Sequence, residues 1–351
     1  MSELAARGAG PSTLPPRSAL PLPAARPAFR PAVAARHFPE LAGYLQELEQ
    51  ALHEGRTPDT ADALHMPELV EGLNLADRSL KLESHLFVLG EPAPVMLQSS
   101  LAQRLRDSLG SGQAWRGVIS DGDHGAAISL RFSTSSNDVS MLLVDSLAWS
   151  QRDVDQKRRA WQAVLATLTP ALQDRAGPQA APVRLHLGMF ATDVQRTPEG
   201  CHIFALSAAK KLASDPAVAA LHERALQGIA TGRIRPGVNH LNADRLLPPS
   251  LFKHATSGRV VERYVDACDA GRSAAEARRQ AGFTGWQRDW PDGQAPVNKQ
   301  GQNLQQRHAA HSITRESRKA PGRLISYSNS YEAKRIELIR EALTHLTDGL
   351  N

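Results

Sequence analysis

Long apolar runs are missing from this 351-residue chain, and no stretch approaches the roughly 18 consecutive apolar residues that a membrane-spanning helix requires. The N-terminus also lacks the compact apolar segment of a cleaved secretory signal, and Ser2 stands where N-myristoylation requires glycine. Cysteine is scarce: Cys201 and Cys268 cannot make a disulfide framework for a chain of this size. That scarcity points to a reducing compartment and leaves a thiol available for chemistry. Excess charge is small as well, because 41 Lys+Arg against 36 Asp+Glu leave only +5. Such a mildly basic balance allows phosphates, nucleic acid or acidic proteins as partners and selects none of them. No internal repeat occurs.

What is present divides the chain by composition. Residues 1–35 hold seven prolines, ten alanines, four arginines and one acid, too little apolar surface to offset chain ordering. Disorder is therefore expected over 1–36. Arg7, Arg17, Arg26 and Arg30 suit an acidic surface or nucleic acid, and suit a flexible secretion and chaperone-binding segment as well. Leu41, Tyr44, Leu45, Leu48 and Leu52 fall at helical spacing before Gly55, and a second helix is expected over Met66–Asp77, ahead of a short strand at Leu86–Leu89. From Gln113 the period shortens. Ile128, Leu130 and Phe132 alternate, as do Val183, Leu185, Leu187 and Met189, and Val139–Val144 is nearly all apolar, which predicts strands of one sheet. Trp161, Val164, Leu165, Leu168 and Leu172 lie on one helical face between them, so the class is α+β. Further helices are predicted over about 201–213, 216–230, 258–280 and from Tyr331, the last with Ile336, Leu338, Ile339 and Leu343 as apolar positions. A polar surface excursion is expected at about 282–321.

The segment Asp193-Val194-Gln195-Arg196-Thr197-Pro198-Glu199-Gly200-Cys201-His202-Ile203-Phe204 runs from a strand through a turn into a helix that begins at the cysteine. A thiol there meets unpaired backbone N–H groups and the positive end of the helix dipole, which favours thiolate. Nucleophilic catalysis also needs a base within hydrogen-bond reach and a third group to orient it. His124 opens one predicted strand and Asp145 closes the next, so an antiparallel hairpin brings them to one sheet edge. Gln195, six positions before the cysteine, suits a donor to the oxyanion of a tetrahedral intermediate, with the Cys201 N–H as the second donor. Each residue also has a plain reading: Cys201 as a small buried hydrophobe, His124 as one of 13 histidines, Asp145 as a turn residue, Gln195 as a loop residue.

The order His124, Asp145, then Gln195-Arg196 ahead of Cys201, followed by Ile203-Phe204 and a helix ending in Lys210-Lys211-Leu212, resembles the YopJ family of type III secreted effector acetyltransferases. Leu247-Pro248-Pro249-Ser250-Leu251-Phe252-Lys253-His254 is similar to the family's segment ending in a Lys-His pair. The resemblance covers roughly residues 60–340. It implies a core like that of ubiquitin-like proteases over 113–215, and a helical regulatory region built from 37–112 and 216–351. It implies acetyl transfer from acetyl-CoA to Ser, Thr or Lys of host signalling or defence proteins, type III delivery into the host cell, and activation by inositol hexakisphosphate. His124, Asp145 and Cys201 become the triad, Arg196 a contact to CoA, and Lys253 a site of self-acetylation. Arg78, His254, Lys334 and Arg335 become the ligands of the inositol phosphate, with Tyr327, Ser328 and Ser330 nearby as hydroxyl donors.

Departures from the family pattern are Asp145 where many members carry Glu, a long stretch between Asp145 and Cys201, and Gly200 just before the cysteine. Two other readings remain beside this one. The same triad can serve a cysteine protease or deubiquitinase, and a non-enzymatic adaptor or nucleic-acid-binding module can use the basic N-terminus. No metal site is expected, because His308 and His311 lack cysteine or acid partners. Nucleic acid is not the expected partner.

Overall fold

A computed structural model describes residues 28–54, 56, 60–121, 124–196, 200–280, 291–317 and 320–350. Six strands form one mixed sheet in chain order: β1 (Leu82–Leu86), β2 (Ala114–Asp121), β3 (His124–Phe132), β4 (Asp138–Asp145), β5 (Arg184–Ala191) and β6 (Gly237–His240). Neighbours β2, β3 and β4 are antiparallel, whereas β1 runs parallel to β2, and β4, β5 and β6 run parallel to one another. Parallel neighbours need crossovers. The long helix α6 (Gln151–Ala176, numbered after five earlier helices given below) carries the chain from β4 to β5, and α7 (Cys201–Ser214) with α8 (Pro216–Ala230) carries it from β5 to β6.

β4 is buried along its whole length, and its alternating side chains feed two cores. Val139, Met141 and Leu143 face the core closed by α4 (Ala93–Gln98), α5 (Ser100–Ser108) and the Trp161–Leu172 face of α6. Leu142 and Val144 face the other core, where α7 lies against the sheet. Outside α7 pack α1 (Pro31–His37), α2 (Pro39–His53), α3 (Met66–Ala76) and, from the far end of the chain, α12 (Ser330–Asp348). α12 packs chiefly on α3 and also meets α1, α2 and α7, so the two chain ends make one helical layer behind the helix that begins at Cys201. α9 (Ala243–Leu246), a 3-10 turn (Pro249–Leu251), α10 (Gly258–Gln280), α11 (Leu304–Ala310) and a hairpin of β7 (Ser312–Ser317) and β8 (Ala320–Ser328) fill the chain between β6 and α12. No helix among the described residues is long and apolar enough to cross a membrane.

The α+β class, the sheet and the helices expected over 66–77, 201–213, 216–230 and 258–280 are present. Three expectations need correction. The early strand is Leu82–Leu86 rather than Leu86–Leu89, because Asn74 of α3 brackets Leu82 with two side-chain bonds of 2.8 Å and sets the start of the strand there. Helix α1 extends order into the segment expected to be disordered to 36, since Ala34 is fully buried; residues 1–27 lie outside the described residues. The excursion at 282–321 is only partly a surface feature. Val297 and Leu304 are buried in the main core, and α11 and β7 belong to the same stretch, while 281–290 lie outside the described residues.

Candidate active site

Antiparallel register brings the start of β3 and the end of β4 to one sheet edge, since Ala127 pairs with Val144. There His124 Nε2 lies 2.9 Å from Asp145 Oδ2. β5 runs parallel to β4 and ends at the same edge, from which the chain returns to start α7 at Cys201. The sulfur accepts from the Gly125 N–H at 3.4 Å, lies 3.5 Å from His202 Nδ1, and is hydrogen-bonded to His124. The three side chains singled out in the sequence thus lie together.

Two glycines make this geometry possible. A Cβ on Gly125 would lie 2.8 Å from His202 Cδ2, so only glycine lets β3 approach α7 this closely. Gly200 has φ +99° at the N-cap of α7, and a Cβ there would meet Arg335 Nη2 at 2.8 Å. The departure from the family pattern at Gly200 therefore has a local cause: the position is left-handed and the space is taken.

Burial alone raises the Cys201 thiol, but hydrogen bonds with His124 and His202 and the Gly125 N–H outweigh it and bring the thiol down to about 6. Burial likewise disfavours the His124 imidazolium, yet Asp145 and the sulfur carry it up to about 9. Between those values the pair stands as thiolate and imidazolium, the form in which sulfur is nucleophilic. Asp145 is 1% exposed, and burial raises its carboxyl; His124 first, then Lys157 and the Leu147 N–H, hold it below the ordinary carboxylate range all the same.

Sequence reasoning missed the shell behind these residues. Trp149 Nε1 donates to Asp145 Oδ2 at 3.0 Å, and Lys157 Nζ lies 3.4 Å from the same oxygen and 5.2 Å above the Trp149 ring. The signal was local. Trp149 follows Asp145 by four residues, and Ser150 with Asp153 forms the capping box that starts α6 and projects Lys157 back toward the strand end. Gln195 is buried, and its Oε1 accepts from Ser146 Oγ at 2.7 Å, which fixes the orientation of the amide.

Arg196 is half-exposed, and its guanidinium is paired with Asp193, which Arg263 also holds at 3.0 Å; its backbone N–H donates to Thr256 Oγ1 at 3.0 Å. The proposed inositol phosphate ligands do not all meet. Lys334 and Arg335 are adjacent on α12 and so point about 100° apart around the helix. Arg335 turns inward, 2% exposed, with its Nη2 2.9 Å from Asp62 Oδ2, and Tyr44 donates to the other oxygen of Asp62 at 2.7 Å. Here Arg335 is a buried ion-pair partner that links α12 to the N-terminal helices, turned away from Lys334.

Lys334 of α12 turns instead toward Lys253, on the turn just after the 3-10 helix, Lys211 of α7 and Arg307 of α11. Burial, then the charges of Lys211, Lys334 and Arg307, push the Lys253 amine down to about 7. Burial, then the charges of Lys253, Arg307 and Lys334, push His254 well below its ordinary range; its Nδ1 lies 3.3 Å from Ser330 Oγ, and its buried Nε2 has no partner among the described residues. Glu337, 3.0 Å from Lys334, is the nearest offset to this crowding of cations. Arg78 stands exposed on the turn after α3, beside Asp77, which feels Lys210 once its hydrogen bonds with Ser79 are counted.

A family profile described as YopJ serine/threonine acetyltransferase matches residues 41–341. The fold is similar to that of an AvrA deletion variant with IP6 (inositol hexakisphosphate) and CoA, at TM-score 0.60 and 22% identity, over 88% of this chain and 98% of that one. It is also similar to HopZ1a with IP6 and CoA, at TM-score 0.57, and to HopZ1a with IP6, at 0.54, each 16% identical over 89% of this chain and 96% of that one. No curated protein sequence matches it. Since the profile spans most of the chain, including the sheet edge and the helix that carry His124, Asp145 and Cys201, the chain belongs to the YopJ serine/threonine acetyltransferase family.

Proposed function

We propose that this protein transfers the acetyl group of acetyl-CoA through Cys201 to hydroxyl or amine groups of Ser, Thr or Lys on other proteins, and that an inositol polyphosphate activates it. The observation that carries the reading is the hydrogen-bonded cluster of buried Cys201, half-buried His124 and buried Asp145, whose Oδ2 lies 2.9 Å from the imidazole Nε2. The Cys201 thiolate attacks the thioester carbonyl; the new S–C bond forms, and the CoA sulfur leaves with a proton from His124. The substrate hydroxyl or amine then gives its proton to His124 as it attacks the acetyl-Cys201 thioester, and the Cys201 sulfur departs as thiolate. Gln195, held by Ser146, and the Cys201 N–H serve the oxyanion in both steps. Arg196 serves the CoA phosphates by leaving Asp193, whose pairing with Arg263 persists.

Lys253, Lys334, Lys211 and Arg307, with His254, suit a polyphosphate, because the four cations repel one another and a buried unpartnered imidazole nitrogen lies among them. Bound there, such an anion supplies the counter-charge that Glu337 alone does not. It draws together segments that back α7, which ties occupancy of the cluster to the order of the nucleophile's helix. Lys253, with a depressed amine, is the lysine most ready to accept acetyl on this chain itself. Type III delivery, a chaperone at the N-terminal segment, and host signalling or defence proteins as substrates belong to the same reading.

The test is incubation of the purified protein with radiolabelled acetyl-CoA, with and without inositol hexakisphosphate, for the parent and Cys201→Ala. Label that requires both the polyphosphate and Cys201 is the expected result. Absence of label from folded parent under both conditions rejects acetyl transfer, and cleavage of a fluorogenic ubiquitin substrate would then establish the protease reading instead.

A further inference from the structure

His202, the residue after the nucleophile, is 4% exposed and holds Nδ1 3.5 Å from the Cys201 sulfur. Its ring cannot leave. The position a Cβ of Gly125 would take is 2.8 Å from His202 Cδ2 and 3.0 Å from its Cγ, so the β3 backbone seats the imidazole, and the same Gly125 donates its N–H to the sulfur at 3.4 Å. His202 Nε2 is buried and has no partner among the described residues, and among them the ring's polar contact is the one from Nδ1 to the sulfur. A buried imidazole with one nitrogen unpaired is costly to keep unless the other nitrogen has a task.

We propose that His202 is a second imidazole of the catalytic site, donating its Nδ1–H to the Cys201 sulfur beside the Gly125 N–H, so that the thiolate is held independently of His124. The proposal rests on the reading of Cys201 as nucleophile. It assigns His202 no proton transfer. In the first half-reaction the sulfur's electron pair forms the S–C bond while His124 gives its proton to the departing CoA sulfur. In the second, the S–C bond breaks and the pair returns to Cys201 while His124 is occupied with the proton of the incoming hydroxyl or amine. At that moment the leaving sulfur needs donors other than His124, and His202 and Gly125 are those donors. A hydrogen bond to an ionised acceptor is about twice as strong as a neutral one, which makes this contact count most in the thiolate state.

Charged and titratable groups around the sulfur come from four elements besides α7. His124 reaches it from β3, with Asp145 of β4 behind and Lys157 of α6 on Asp145; from α12, Arg335 lies against Gly200, and Tyr331 stacks on Phe204. A change at His202 is therefore read against a fixed set of neighbours.

The experiment is the pH dependence of Cys201 alkylation by iodoacetamide in the full chain, comparing the parent, His202→Leu and His202→Asn. Asn and Leu are nearly isosteric, and only Asn can donate to sulfur. Expected is an acid limb displaced upward in His202→Leu, giving roughly tenfold slower alkylation on that limb, one pH unit being a factor of ten, with His202→Asn close to the parent. Equal acid limbs in the two variants, shifted or not, overturn the proposal, because packing alone then accounts for the residue. If His202→Leu does not fold, the parent decides: the His202 Nδ1 nitrogen-15 resonance is expected to move with Cys201 ionisation and to stop moving in Cys201→Ala. A resonance indifferent to Cys201 rejects the proposal. Neither measurement uses acetyl-CoA, so its outcome is separate from that of the acetyl transfer test.

Discussion

The sulfur site, buried apart from half-buried His124, and the half-buried lysine cluster are both strongly perturbed, but by opposite arrangements of charge. At Cys201, unlike charges meet: thiolate, imidazolium and carboxylate alternate, and the burial penalty is outweighed by partners. At Lys253, like charges meet, and burial and repulsion act in the same direction, leaving the amine at about 7. The first arrangement is complete within the chain and suits chemistry. The second is incomplete and suits an anion from outside. α7 joins the two, since it begins at Cys201 and carries Lys210 and Lys211 near its end.

The comparison breaks most easily at the sulfur site. Cys201→Ala is expected to abolish acetyl transfer, and His124→Ala to reduce it by about 10³-fold in a protein that still folds but unfolds at a lower temperature than the parent, because Asp145 loses its partner. Asp145→Asn should fold and lose on the order of 10²- to 10⁴-fold in turnover, because the imidazole loses its orienting carboxylate. Turnover equal to the parent's would remove Asp145 from the site.

Next in size is the buried pair that backs Gly200. Asp62→Ala leaves the Arg335 cation, 2% exposed, without its carboxylate, and chemical denaturation should register a loss of about 3–5 kcal/mol. A loss below 1 kcal/mol would mean that Arg335 finds another anion.

The pH profile sharpens the comparison further. Acyl transfer should rise through about pH 6 as the thiolate forms and fall through about pH 9 as the His124 proton is lost. Stability follows opposite signs at the two sites. His124 is raised from 6.5 to about 9, so its contribution is full below pH 6.5 and lost as pH rises through 9. Cys201 is lowered from 9.0 to about 6, so its contribution is full above pH 9 and lost as pH falls through 6. Lys253 is lowered from 10.5 to about 7, so the unfolded chain binds the extra proton between those values, and its burial penalty, full below pH 7, fades toward pH 10.5. Lys253→Met should therefore be more stable than the parent at pH 7, with the difference narrowing by pH 10, and should respond less to inositol hexakisphosphate. A variant less stable than the parent at pH 7 would show that Lys253 is already neutralised.

Much of the sulfur site was legible in the sequence because local rules decide it. Alternating apolar residues fixed the hairpin that joins His124 to Asp145, and the run from strand through turn into helix over 193–204 put Cys201 at a helix start. The lysine cluster was only half legible. Lys253, His254 and Lys334 stand in recognisable segments, but Lys211 and Arg307 join them only through packing of separate helices. The pairing of Arg335 was hidden for a related reason: adjacent cations on a helix face different surroundings, and its partner, Asp62, is 273 residues away in the chain (335 − 62). Trp149 and Lys157 were within reach of the sequence, close after Asp145, yet their convergence on one carboxylate oxygen depends on how α6 leaves the strand. His202 was in plain view beside Cys201; its burial against Gly125 was not.

The central claim is that acetyl passes through the Cys201 sulfur. It is tested most directly by incubating the protein with acetyl-CoA and inositol hexakisphosphate without an acceptor protein, quenching in acid, and mapping the acetyl group by peptide mass spectrometry with and without hydroxylamine. The account predicts a hydroxylamine-labile acetyl on the Cys201 peptide, and no acetyl anywhere on Cys201→Ala. Hydroxylamine-stable acetyl on Lys253 at equal levels in the parent and Cys201→Ala would contradict it.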